Sequence, residues 1–140
     1  MSEHRFEQIE HTADIGIEAT GDTLAEAFES AAFGMFSVMA DIAGMSPSRT
    51  IEVRAEADDL ASLLHNWLAE LIYRFDAEKV LPVAFKVEEM TETSLTAKVG
   101  VRPFSADIEW IGPAIKAVTY HQLTVERTPG GWRTRVIFDV

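Results

Sequence analysis

The chain contains no cysteine, so a disulfide framework, a thiolate metal site and a cysteine nucleophile are all closed to it. It also has no apolar run near the ~20 residues that a membrane-spanning helix requires. The opening Met1-Ser2-Glu3-His4-Arg5 lacks the apolar core of a signal peptide, and a cytoplasmic protein is expected. Cations are scarce: 12 Lys and Arg stand against 23 Asp and Glu, for a net charge of −11. A phosphate backbone repels such a chain, which argues against direct nucleic-acid binding. Part of this acidity serves solubility alone; beyond that it suits a metal cation or a basic protein partner, such as an enzyme that handles nucleic acid or nucleotides. Familiar catalytic signatures are missing too. There is no phosphate-cradling Gly-rich loop ending in Lys-Ser/Thr, no Gly-x-Ser-x-Gly and no His-Glu-x-x-His. The four histidines, His4, His11, His65 and His121, are scattered, so a closed zinc site lacks ligands, whereas carboxylates favour a hard cation such as calcium or magnesium.

What is present reads as one globular domain over residues 1–140, with 47% hydrophobic residues and enough length to bury a core. Phe6-Glu7-Gln8-Ile9 predicts a short strand, and Ile15, Ile17 and Ala19 alternate with Gly16 and Glu18 as a second strand with one buried face. Asp14 falls with Gly16 and Glu18, away from the core. Thr23 with Glu26 fits a capping box, and Leu24 to about Ala40 carries one helical apolar stripe. Ile51, Val53 and Ala55 alternate with charged residues as a strand. Asp58-Asp59 offer the cap of a second helix, whose stripe runs Leu60, Leu63, Leu64, Trp67, Leu68, Leu71, Ile72 and Phe75. His65, Asn66, Glu70, Tyr73 and Arg74 lie off that stripe and read as solvated.

From Val80 the period becomes two. Val83–Val87 and Leu95–Val101 predict a hairpin; residues 103–113 predict an irregular loop on which Trp110 and Ile111 mark a contact surface. Residues 115–127 and 132–140 predict a long hairpin around Pro129-Gly130-Gly131. The expectation is an α+β domain with two helices packed on a mainly antiparallel sheet, without repeats or linkers.

Three stretches are dense in polar groups among apolar neighbours: Glu10-His11-Thr12-Ala13-Asp14-Ile15-Gly16-Ile17, Lys116-Ala117-Val118-Thr119-Tyr120-His121, and Phe138-Asp139-Val140. Asp139 beside the Val140 carboxylate sets two anions together, a repulsion of roughly 1 kcal/mol near a surface unless a cation or ammonium relieves it. Were Asp14 adjacent, three carboxylates and some carbonyls would supply the six to eight oxygens calcium takes. A frayed, solvated terminus is the competing reading. Lys116 reads either as an exposed strand lysine or as a group aimed at a partner's acid, and His11 and His121 read as hydrogen-bonded imidazoles beside these groups.

Taken together, these stretches, with Gly21-Asp22-Thr23-Leu24-x-Glu26-Ala27-Phe28 and Asp58-Asp59-Leu60-x-x-Leu63-Leu64, resemble the archease family over nearly the whole chain. The resemblance implies an archease-like fold and a non-enzymatic activator of the RtcB-type RNA ligase, which uses GTP and a divalent metal to join RNA ends in tRNA splicing and RNA repair. It implies promotion of ligase guanylylation and multiple turnover, and a calcium-type metal site of Asp14, Asp139 and Val140. Lys116 matches a lysine needed for activation, and His11 and His121 are candidates to support the ligands. The alternatives are a metal-dependent hydrolase using Asp14 and Asp139, and a general chaperone-like binding module.

Overall fold

The computed structural model describes residues 4–11 and 14–140, with the backbone alone at Glu10 and His11. In chain order the elements are β1 Arg5–His11, β2 Asp14–Gly21, α1 Leu24–Met39, β3 Arg49–Glu56, α2 Leu60–Glu78, β4 Val80–Met90, β5 Ser94–Pro103, β6 Ala117–Val118, β7 Thr124–Thr128 and β8 Gly131–Asp139. This is the expected α+β architecture of two helices on antiparallel strands, with the strands divided between two sheets. One sheet runs β1-β2-β8-β6, with β7 also pairing β8; the other runs β3-β5-β4. Every pairing is antiparallel.

Local chemistry sets both helix starts. Thr23 Oγ1 accepts from the Glu26 N–H at 3.1 Å, and its hydroxyl donates to Glu26 Oε1 at 3.2 Å. Asp59 accepts from the Ser62 N–H at 2.8 Å, which satisfies one of the free donors of the first turn of α2. That hydrogen bond, more than any charge, draws the Asp59 carboxyl below its ordinary range. The two helices then differ. α2 buries a single stripe, Leu63, Leu64, Trp67, Leu68, Leu71, Ile72 and Phe75, as expected. α1 is buried nearly all round, including Glu29, Ser30, Gly34 and Phe36, because β1 and β2 pack on one side of it and β4 on the other. The single-stripe reading of α1 is thereby corrected: a helix between two sheets has no solvent face to keep polar.

One contiguous core joins both sheets and both helices, with Phe28, Phe36, Trp67, Leu68 and Phe138 fully buried. Burial of each Phe or Leu side chain contributes about 1.5–3 kcal/mol. Polar groups inside are matched. Trp67 Nε1 donates to Phe28 O at 3.0 Å, tying α2 to α1, and Glu29 Oε2 accepts from the Val87 N–H at 2.9 Å. The second bond meets a register shift in β4 between Val87 and Glu89, where the ladder leaves a main-chain donor without a strand partner. Among the described residues, no helix is long and apolar enough to cross a membrane.

Candidate functional site

The long hairpin expected from residue 115 onward forms only in part. β7 pairs β8 from Thr124↔Arg135 to Thr128↔Gly131, and β6 pairs it again at Val118↔Phe138 and Ala117↔Asp139. Five residues, 119–123, stand opposite only two of β8, so the strand breaks, with Gln122 turning at a φ of 53°. β6 nevertheless stays in place. The Thr119 N–H and hydroxyl both donate to Ile137 O, at 3.0 and 2.9 Å. From the other side His65 Nε2 donates to Val118 O at 3.0 Å, and Tyr120 stacks on the His65 ring at 4.0 Å. His65 Nδ1 lies 3.0 Å from Asn66 Oδ1, and Asn66 Nδ2 donates to Glu56 O at 2.7 Å. His65 and Asn66 are therefore half-buried bridges from α2 to β6 and β3, which corrects their reading as solvated. Their partners lie up to 53 residues away, beyond the reach of any local pattern.

With β6 fixed, the three polar stretches converge on one corner of the five-stranded sheet. β2 pairs β8 with Ile15 opposite Phe138; continued by one residue, that register sets Asp14 opposite Asp139. On the other flank of β8, the Lys116 N–H donates to Asp139 O at 2.8 Å. Asp14 is half-buried, Asp139 and Lys116 are exposed, and Val140 is half-buried against the core. By alternation along the strands, positions 14 and 139 share the face of Gly16 and Ile137. That face is closed tightly: a Cβ at Gly16 would stand 2.6 Å from Ile137 Cδ1 and 2.8 Å from Ile9 Cγ1. Only hydrogen fits there, so β1, β2 and β8 lie flush and Ile137 is fully buried beneath the corner.

Side chains about 5 Å apart on neighbouring strands interact directly, so two carboxylates there repel by on the order of 1 kcal/mol in a water-like surrounding. The corner therefore attracts positive charge. Among the described residues no three His, Cys, Asp or Glu side chains cluster as metal ligands. The main chain of His11 pairs with Asp14 at the end of β1, but its side chain, with Thr12 and Ala13, lies outside the described residues. His121 is exposed in the 119–123 turn, its N–H donating to Thr119 Oγ1 at 3.2 Å.

Comparison with known proteins bears on the family and the fold. The sequence profile of the Archease protein family matches residues 6–140. Over 140 residues the chain is 40% identical to the protein archease of Methanosarcina mazei, covering 97% of this chain and 96% of that protein. It is 38% identical to the protein archease of Thermococcus gammatolerans, covering 97% and 99%. The solution structure of Methanobacterium thermoautotrophicum protein 1598 aligns with a TM-score of 0.84 at 34% identity, over 96% of this chain and 98% of that one. The crystal structure of an archease, described as a possible chaperone, from Thermotoga maritima shares the fold, with a TM-score of 0.58 at 24% identity, over 99% and 100% of the two chains.

Proposed function

The chain belongs to the archease family, and from that membership we propose that it is a non-catalytic activator of an RtcB-type, GTP-dependent RNA ligase. In this reading it promotes guanylylation and repeated turnover of the ligase in cytoplasmic tRNA splicing and RNA repair. The observation that carries the reading is the family match across residues 6–140. The meeting of positions 14, 116 and 139 at one sheet corner supports it, because residues that local folding has no reason to gather are gathered there. The net charge of −11 supports a partner with a basic surface.

Asp14, Asp139 and the oxygen atoms of Val140 would hold a divalent cation of the calcium type. The donors fit by kind: carboxylate and carbonyl oxygens, on a chain without thiols. With no third acidic side chain clustered among the described residues, main-chain carbonyls and water would complete the six to eight oxygens. When bound, the cation neutralises two like charges and fixes the end of β8 against β2. Lys116, whose main-chain N–H donates to Asp139 O, carries an exposed ammonium at the same sheet corner, suited to a carboxylate or phosphate on the ligase. His11 and His121 would orient the oxygens around the ion.

The test is addition of the chain to a cognate ligase and GTP, followed by measurement of covalent ligase–GMP. Guanylylation rises with the unaltered chain, and Asp14→Ala, Asp139→Ala and Lys116→Ala each abolish the rise while circular dichroism stays unchanged. Absence of stimulation by the unaltered chain rejects the reading. A second reading, a general chaperone-like module, takes support from the exposed apolar residues Trp110 and Ile111. It predicts equal rescue of unrelated aggregating proteins, with Lys116 irrelevant.

A further inference from the structure

Between β5 and β6 the chain runs through residues 104–116, an irregular segment without a free loop's latitude. The Phe104 N–H donates to Lys79 O at 3.1 Å, the Ile111 N–H to Met39 O at 2.8 Å, and Trp110 bridges Ala40. Ile108 and Ile115 are buried and anchor the segment from below. Gly112 crosses the end of α1 so closely that a Cβ there would stand 2.1 Å from Val38 O. On this pinned frame Phe104, Trp110 and Ile111 keep 36%, 44% and 57% of their surface in water. The rings of Phe75, Phe104 and Trp110 brace one another at centroid separations of 5.1, 5.9 and 5.3 Å, continuing a ladder that begins with Phe85 and Phe36 in the core. Apolar groups exposed on a rigid backbone lose little entropy when covered, which is the property of an interface anchor.

Phe104 and Trp110, with Met39, Phe75, Gly112 and Ala114, line an open hollow of about 260 Å³, and Ile111 stands beside it. The hollow is smaller than the ~300–1,000 Å³ of sites for free metabolites, and every lining side chain is apolar, so it suits one inserted apolar side chain. The nearby charge is acidic. Exposed Asp41, Asp76, Asp107 and Glu109 adjoin the lining residues or share their loop, against Lys79, Arg102 and Lys116. Arg102 is already paired with Asp107 at 2.9 Å, and the Ser105 hydroxyl, ahead of that arginine, holds the Asp107 carboxyl below its ordinary range. The same segment runs on to Lys116, so the hollow and the acidic corner lie along one stretch of backbone.

We propose that this hollow receives an apolar side chain from a Lys- or Arg-bearing segment of the ligase, with Asp41, Asp76 and Glu109 facing its cations. The inference rests on the functional reading above and gives it a docking surface separate from the corner that activates. An acidic rim disfavours RNA, and a second copy at −11 charge meets the same repulsion.

Titration calorimetry of the full chain against the ligase, run beside a guanylylation dose curve, tests it. Ala114→Asp puts a charge into the hollow at an exposed lining residue, so the fold survives it; Trp110→Ala removes the larger anchor. Each raises the Kd and the half-stimulating concentration at least tenfold while saturating stimulation stays at the wild-type level, because Lys116 and the corner are intact. Glu109→Lys weakens binding most at low salt. An unchanged Kd with Ala114→Asp overturns the proposal whatever Trp110→Ala does. An unaltered chain that binds without stimulating rejects the functional reading alone, and the Ala114→Asp Kd still decides the hollow. No binding by the unaltered chain overturns both. Quenching of Trp110 fluorescence by single-stranded RNA at physiological salt would also overturn the hollow's assignment to a protein.

Discussion

Glu29 offers a sharp test of the packing argument, because its carboxylate sits 5% exposed in α1 and accepts from the Val87 N–H at 2.9 Å. Val87 is itself buried at the register shift of β4, so water cannot replace the acceptor. Glu29→Met keeps the volume and removes the acceptor; the stranded donor costs about 1–3 kcal/mol. Glu29→Ala adds the loss of the buried Cγ methylene at ~0.8 kcal/mol, for a total of about 2–4 kcal/mol. At ~2.1 cal/mol/K per residue, 140 residues give an unfolding entropy near 0.3 kcal/mol/K. The melting temperature then falls by about 3–10 °C for Met and about 6–13 °C for Ala. Glu29→Gln retains an acceptor oxygen and nearly the same shape, so it stays within about 3 °C of the unaltered chain. Thermal unfolding followed by circular dichroism at neutral pH ranks the three. A Gln variant as damaged as Met would refute the reasoning, since it would make the charge, rather than the hydrogen bond to Val87, the source of stability.

Other expectations follow from single contacts. Gly112→Ala introduces a Cβ that Val38 O excludes; the segment must shift by about 1 Å, at roughly 1–3 kcal/mol, seen as a lower melting temperature together with weaker ligase binding. Burial holds the His4 imidazole below its ordinary value of 6.5, against the opposing pull of Glu29 and then Glu26. A folded-state value below the unfolded one means that the contribution is whole above about pH 6.5 and is lost as the pH falls through the folded value. His4→Phe keeps a ring against Phe33, 5.0 Å away, and should flatten the decline in denaturant midpoint between pH 7 and 5; an unchanged slope would contradict it.

Elements governed by near neighbours were legible from the residues alone. The Thr23–Glu26 cap, the Asp59 cap and the stripe from Leu63 to Phe75 each depend on contacts within a turn or two of helix, and each forms as read. Strand pairing was less legible. Alternation marks Val53, Val87 and Val99 as inward-facing, yet nothing in it says that β3, β4 and β5 close a sheet of their own. Glu29 is buried only because β4 is laid over it, and Gln122 turns the chain at positive φ without the glycine that usually signals such a turn. The corner shows both sides of this. Asp14, Lys116 and Asp139 stood out as polar groups against apolar runs, but their juxtaposition depends on a register between residues more than a hundred positions apart. The hollow had a partial signal in Trp110 and Ile111; Phe104 and Phe75 complete it only through tertiary packing.

The most direct measurement is the single-turnover rate of ligase–GMP formation with this chain in excess, with and without a divalent cation, beside Lys116→Met. The account predicts acceleration by the unaltered chain when the cation is present, and a rate with Lys116→Met no faster than that of the ligase alone. Equal rates with the unaltered chain, with Lys116→Met and with no added chain would contradict it.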